Sequence, residues 1–244
     1  MTEPAIEVHD LYKDYKHVKA VDGISFTVPR GSTCALLGGN GAGKTTTLSI
    51  LLGLLLPTSG RIRILGIDLL RHRYAVLPRM NFTSPYVDLP HRLTVGQNLD
   101  VYARLYGIRR RKERLRRMAE VFELSDLWKR KYGSLSAGQK TRVSLAKSLL
   151  NEPEVLLMDE PTASLDPASA DRIRGWLSDY QRSTGATVLL ASHNMFEVER
   201  LCDDVLMLKQ GRIVDSGAPD ELLHRYGRAN LEQVFIDIAR DQML

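Results

Sequence analysis

Residues Ala35 to Thr47 read ALLGGNGAGKTTT. Glycine loses the most conformational freedom when fixed in regular structure, so a glycine-rich stretch between apolar runs serves the backbone, not side chains. From Gly38 to Thr45 it fits G-x-x-x-x-G-K-[ST], which cradles phosphate where it joins a strand to a helix. Upstream, STCALL reads as that strand; downstream, KTTTLSILLGLLL is apolar nearly all round and reads as a buried helix. In this frame Gly38, Gly41 and Gly43 let successive N–H groups face one anion. Lys44 reaches the β- and γ-phosphates and Thr45 offers its hydroxyl to Mg²⁺. On the loop alone, the alternative is a glycine-rich turn with a chance lysine.

The rest of the composition sets bounds. A chain of 244 residues with a 43% hydrophobic fraction has material for one large domain or two small ones. The start, MTEPAIEVHD, has no apolar segment of a secretory signal. No apolar run approaches the roughly 18 residues of a membrane span, so a membrane role is expected through a partner. Cys34 and Cys202 sit in apolar or helical contexts without metal-ligand spacing, so both are read as core thiols in a reducing compartment. The net charge is +5. Its densest source, RRRKERLRR from Arg109 to Arg117, reads as a solvated helix face or as a docking surface for an acidic partner, anionic lipid or nucleic acid. No aromatic residue interleaves with it, which weighs against binding single strands.

Along the chain, AIEVHDLY, GISFTV and GRIRILG read as strands. From Thr94 to about Leu150 the pattern is helical, opening on a Thr94/Gln97 capping pair and pausing at Gly107. Strands and helices then alternate: EVLLMD, ASADRIRGWLSDYQ, ATVLLAS, MFEVERLC, DVLMLK and RIVDSG. Such alternation predicts an α/β core with a parallel sheet, here interrupted by a helical insert. The tail from Pro219 holds one or two helices.

Two further constellations carry chemistry. EVLLMDEP is an apolar strand ending in Asp159 and Glu160, and the C-terminal ends of such strands are where α/β sheets bind ligands. One carboxylate can hold Mg²⁺ through water, and the next can take a proton from an attacking water; both could also merely cap the loop. LSAGQ places Ser136 and Gln139 at capping-box spacing, a helix N-terminus that is also an anion site.

Taken together, these motifs resemble the nucleotide-binding subunit of an ATP-binding cassette (ABC) transporter over almost the whole chain. GGNGAGKT matches Walker A, LSAGQ the family signature, VLLMDE Walker B with its glutamate, SLD (Ser164 to Asp166) the D-loop, and SHN places His193 at the switch histidine. The resemblance implies an α/β P-loop NTPase core with a parallel sheet, an N-terminal antiparallel β subdomain and an inserted α-helical subdomain. On that pattern the core and β subdomain span about 1–93 and 151–217, the helical subdomain about 94–150, and C-terminal helices 218–244. It implies ATP and Mg²⁺ as ligands, with nucleotide contacts from Gly38, Gly39, Asn40, Gly41, Ala42, Gly43, Lys44, Thr45 and Thr46, and Tyr15 stacked on adenine. Thr45 and Asp159 would hold the metal, and Lys44, Glu160 and His193 would act in hydrolysis. Two subunits, alike or different, would pair head to tail, with Ser136, Ala137, Gly138 and Gln139 meeting the partner's ATP in trans and Asp166 at the interface. Asp166 also precedes Pro167 and reads as a helix cap, as does Asn194 ahead of Glu197.

One departure stands out. The family carries a glutamine after a short strand between Walker A and the signature; aligning MNFTS with that strand puts Ser84 there, while Gln97 lies too far along and reads as a helix cap. Serine is too short to reach the metal in the same way. The tail pattern LEQVF and the stretch TVGQNLDVYARLYG resemble ABC-2-type exporter subunits, implying a separate membrane permease, the cytoplasmic face of the membrane, and no specific nucleic acid. The alternatives are a soluble cassette ATPase acting on ribosomes or nucleic acid, or a regulatory binder that does not hydrolyse ATP.

Overall fold

The runs TCALL, VLLMD and TVLLAS form parallel strands buried along their whole length, as unalternating apolar runs do when a sheet is covered on both faces. The computed structural model describes residues 3–84, 87–163 and 165–240, the side chains of Ala239 and Arg240 excepted. Ser164 of the SLD match lies outside the described residues.

In chain order the elements are β1 (Ile6–Tyr15), β2 (Val18–Val28), β3 (Thr33–Leu37), α1 (Lys44–Leu51), β4 (Ser59–Ile64), β5 (Ile67–Asp68), α2 (Leu69–Val76), β6 (Met80–Thr83), α3 (Val95–Leu105), α4 (Arg111–Val121), α5 (Ala137–Ser148), β7 (Val155–Asp159), α6 (Pro167–Thr184), β8 (Thr187–Ser192), α7 (Met195–Leu201), β9 (Asp204–Lys209), β10 (Arg212–Gly217), α8 (Pro219–Tyr226) and α9 (Leu231–Arg240). One sheet has the order β10-β9-β3-β8-β7-β6. Its strands from β9 to β6 are parallel, and β10 closes the edge antiparallel. The second sheet, β2-β1-β4-β5, is antiparallel throughout.

Successive residues of a strand face opposite sides, and β3 shows what each side meets. Cys34 and Leu36 join a core with Leu48 and Leu51 of α1 and with Ile6, Val8 and Ile62 of the antiparallel sheet. Ala35 and Leu37 join the other core, with Val143 of α5 and Ile173 of α6. The main sheet is therefore the middle layer. The α/β class, the parallel sheet, the N-terminal antiparallel sheet and the helical insert all stand as expected. Cys34 and Cys202 are buried free thiols.

Several local expectations need correction. The segment Lys44–Leu56 is not one buried helix. α1 ends at Leu51, Gly53 turns left-handed (φ 67°), and Leu54 and Leu56 are 78% and 69% exposed. A left-handed glycine just past the last turn stops a helix whatever the apolar count beyond it. The first hairpin is longer than the apolar pattern suggested: β1 runs on to Tyr15, which pairs with Val18. α2 and β5 carry no strong sequence pattern. The basic run divides in two. Arg110 and Arg116 lie in solvent, whereas the nearly buried Arg114 donates to the carbonyls of Leu149 and Leu150 and to Glu152. It thereby satisfies carbonyls at the end of α5 that the helix leaves open.

Lys147, on the inner side of α5, donates to the Phe82 carbonyl at 3.0 Å and lies 5.5 Å from the Tyr102 ring centre. Burial pulls its ammonium down to about 8. Above that pH the unfolded chain still holds a proton that the folded chain has lost. Stability then rises with pH until the ordinary lysine range is reached, by at most about 1.4 kcal/mol per pH unit. Urea unfolding of wild type and Lys147→Met from roughly pH 7 to 10 should show wild type gaining on the variant only above about pH 8; a constant difference would contradict the assignment.

Candidate active site

The first shared position is the C-terminal edge of β3, β8 and β7. Parallel register sets Leu37 beside Ser192 and Asp159 beside Ala191. The loops that follow these strands therefore leave from one edge.

The glycine loop after β3 closes onto α1. Gly43, the N-cap, is left-handed (φ 104°) and has no side chain to bond the first turn, whose N–H groups are left for an anion. A Cβ on Gly38 would sit 2.5 Å from the Leu208 carbonyl oxygen of β9, so the loop lies against backbone with no room for a side chain. A Cβ on Gly43 would come as close to the Ala20 carbonyl of β2. The hairpin bearing Tyr15 therefore flanks the loop, and Tyr15 itself is 47% exposed with Lys13 Nζ 5.0 Å from its ring centre. Gly39, Asn40, Gly41, Ala42 and Thr46 complete the loop and the first turn of α1.

Lys44 folds back along the loop and donates to the carbonyls of Gly38 (2.6 Å) and Gly39 (3.2 Å). Burial holds its ammonium below the usual lysine range, opposed by Glu160 and Asp159. The Thr45 hydroxyl donates to Asp159 Oδ2 at 3.2 Å. Burial pushes the Asp159 carboxyl up, and the Thr45 bond partly offsets this. Two hard oxygen donors from different elements thus converge beside the phosphate loop. That donor set fits Mg²⁺, which takes one or two protein oxygens and fills its shell with phosphate and water.

Glu160, one residue past β7, has the left-handed backbone that only a few per cent of non-glycine residues adopt (φ 49°). Its N–H donates to the Ala191 carbonyl (2.8 Å), and its carboxylate lies 2.7 Å from His193 Nδ1. His193 is exposed, whereas Glu160 is nearly buried. The structure thus joins Lys44, Thr45, Asp159, Glu160 and His193 in one cluster.

The remaining candidates sit apart. Ser136 caps α5, its Oγ accepting from Gln139 N (3.3 Å) while Gln139 Oε1 accepts from Ser136 N (3.1 Å). Ser136 and Ala137 are exposed, and Gly138 faces Leu165 and Ser169 across ordinary contact distances. Asp166 caps α6 through Ser169 N (3.0 Å). Gln97 is a cap, bonded both ways with Thr94. Ser84 is buried just past β6, at a cleft of about 380 Å³ that Ala137 and Thr141 of α5 also line. Sequence reading missed a further cluster of Thr162, Ser192 and Glu197. Glu197 was legible only as the third residue of a capped helix. Asn194 Oδ1 does accept from Glu197 N (3.2 Å), but the Glu197 carboxylate turns inward.

With this geometry in hand, the chain can be set beside known proteins. The family model described as ABC transporter matches residues 21–163. The chain is 38% identical over 234 residues to the Nod factor export ATP-binding protein I of Ralstonia nicotianae, covering 92% of this chain and 70% of that protein. It is 38% identical over 239 residues to the daunorubicin resistance ATP-binding protein DrrA3 of Streptomyces coeruleorubidus, covering 96% and 74%. A solved structure of the ATP binding subunit of an ABC transporter superposes with a TM-score of 0.88 at 28% identity, covering 97% of this chain and all of that one.

Gly38→Ala tests the packing of the loop. The methyl meets a backbone oxygen that cannot swing away, so a loss of about 1–3 kcal/mol is expected from overpacking. Thermal unfolding should shift down and ATP affinity should fall with it; a variant with wild-type stability and affinity would contradict the close approach.

Proposed function

This chain belongs to the ABC transporter family, and from that premise we propose how its residues bind and hydrolyse ATP. The observation that carries the reading is the meeting of Lys44, Thr45, Asp159, Glu160 and His193 at one edge of the sheet. The glycine loop and the first turn of α1 take the phosphates on their N–H groups, and Lys44 leaves the loop carbonyls for the β- and γ-phosphates. Thr45 and Asp159 hold Mg²⁺, which when bound neutralises charge on the phosphate oxygens. Glu160 orients the attacking water and accepts its proton. His193 steadies that carboxylate through Nδ1, and its other ring nitrogen faces the γ-phosphate. Most of the acceleration then comes from positioning and charge stabilisation.

The N-terminus of α5, where Ser136 is exposed beside Gly138, can take a phosphate. We assign it to the ATP of a second cassette, paired head to tail, with Asp166 and the D-loop along the seam. No helix of the described residues is long and apolar enough to cross a membrane, and the relatives' names describe export and drug resistance. In this reading the chain is the ATPase of an exporter, bound to a permease at the cytoplasmic face of the membrane. Residues of about 94–150 form the helical subdomain of this machine, the flanking segments 1–93 and 151–217 its core and β subdomain, and 218–244 its C-terminal helices.

Glu160→Gln is expected to bind ATP, to dimerise on size-exclusion chromatography in its presence, and to hydrolyse about 10²–10⁴-fold more slowly. Wild-type turnover in that variant would remove Glu160 from its role. Tyr15→Ala should weaken ATP binding by about 1–3 kcal/mol if its ring stacks on adenine. A thermal melt of the variant would separate lost stacking from a fold defect; unchanged ATP affinity would return Tyr15 to the surface.

A further inference from the structure

Glu197 is a carboxylate buried to 1% exposure that the reaction just described does not use. It lies at the third position of α7, four residues past His193. Its Oε1 accepts from the Thr162 hydroxyl at 2.9 Å and its Oε2 from the Ser192 hydroxyl at 3.1 Å. The Ser192 oxygen in turn accepts from Asn194 N at 3.0 Å. Thr162 stands two residues after Glu160, and Ser192 immediately before His193. One buried side chain therefore ties together the two loops whose ends hold Glu160 and His193 2.7 Å apart.

A buried carboxylate is costly unless its oxygens are hydrogen-bonded, and an apolar residue would fill the same space at less cost. What the carboxylate adds is direction: two acceptor oxygens, one fixing a hydroxyl on the loop after β7 and the other a hydroxyl at the end of β8. The loop it braces is strained, because Glu160 is left-handed, and such a conformation persists only where its surroundings over-determine it. Glu160 N bonded to the Ala191 carbonyl and Ala163 N bonded to the Glu160 carbonyl are two of those restraints. The Thr162–Glu197 bond adds a further tie from this loop to α7, beside the direct contacts of Glu160 with His193.

The geometry points to Glu197 as a positioning residue for hydrolysis, a clamp that holds the Glu160 loop and the His193 loop in mutual register. It acts through the Thr162 and Ser192 hydroxyls. The inference rests on the assignment of Glu160 and His193 to catalysis.

The test compares full-length Glu197→Ala, Glu197→Gln and Thr162→Val with wild type and with Glu160→Gln, in steady-state ATPase assays, ATP-binding titrations and thermal melts. A 1 Å misplacement of a reacting group can cost on the order of 10²-fold. The clamp therefore predicts that Glu197→Ala loses at least about tenfold in kcat, with ATP affinity kept within about twofold. Thr162→Val, nearly isosteric, should lose kcat in the same sense, and the double variant Thr162→Val/Glu197→Ala should be no worse than Glu197→Ala, because Glu197→Ala has already removed the Thr162 contact. Glu197→Gln, which can accept one hydroxyl and donate to the other, should recover at least half of wild-type kcat. The proposal is overturned if folded Glu197→Ala keeps wild-type kcat, if kcat and ATP affinity fall together, or if Thr162→Val and Glu197→Ala add independently. Should Glu197→Ala not fold, Thr162→Val and Glu197→Gln decide by the same criteria. If Glu160→Gln itself turns over like wild type, the assignment of the site has failed, and that result is distinct from failure of the clamp.

Discussion

The register between β3, β8 and β7 is the constraint on which the site depends. All three run parallel, so their C-terminal ends lie on one edge, and every loop that follows them opens to the same side. An antiparallel neighbour would have sent its loop to the opposite edge. The glycine loop, the Asp159–Glu160 pair and His193 come from segments far apart in the chain. They share a site because parallel pairing needs long crossovers and because the sheet is covered on both faces, which leaves its ends as the place where ligands bind.

That arrangement concentrates ionisable groups where solvent is scarce. Lys44, Asp159, Glu160 and Glu197 are all buried, and each is held by a partner in another loop or in the glycine loop itself. A buried charge without such partners would cost several kcal/mol. The bonds are therefore conditions for the fold and at the same time settings of the geometry of the site. The left-handed backbone at Glu160 belongs to the same economy, because strain of that kind survives only inside a network of restraints.

The helical insert shows how much of a charge pattern is decided by neighbours. The arginines from Arg109 to Arg117 are alike in sequence, yet Arg114 is drawn under α5 to its open carbonyls while Arg116 stays in water. Ser136 shows the complementary case. Its capping spacing is local, so the helix start was readable directly, and the cap forms as read.

Local rules made much of this protein legible from its sequence. The glycine loop, the apolar strands ending in carboxylates, the caps at Thr94, Ser136, Asp166 and Asn194, and the alternation that signals a parallel sheet all depend on residues within a few positions of one another. Two readings fell short, one at a local stop and one at a distance. The run from Lys44 to Leu56 looked like one buried helix until Gly53 turned it away from the core. Glu197 looked like part of a cap until Thr162 and Ser192, 35 and 5 residues away, were seen to claim its carboxylate. Hydrophobic spacing and turn chemistry act through the adjacent backbone and are written in the chain order. The direction in which a buried carboxylate turns is set by which hydroxyls packing brings within 3 Å or so, and only the assembled sheet brings them there.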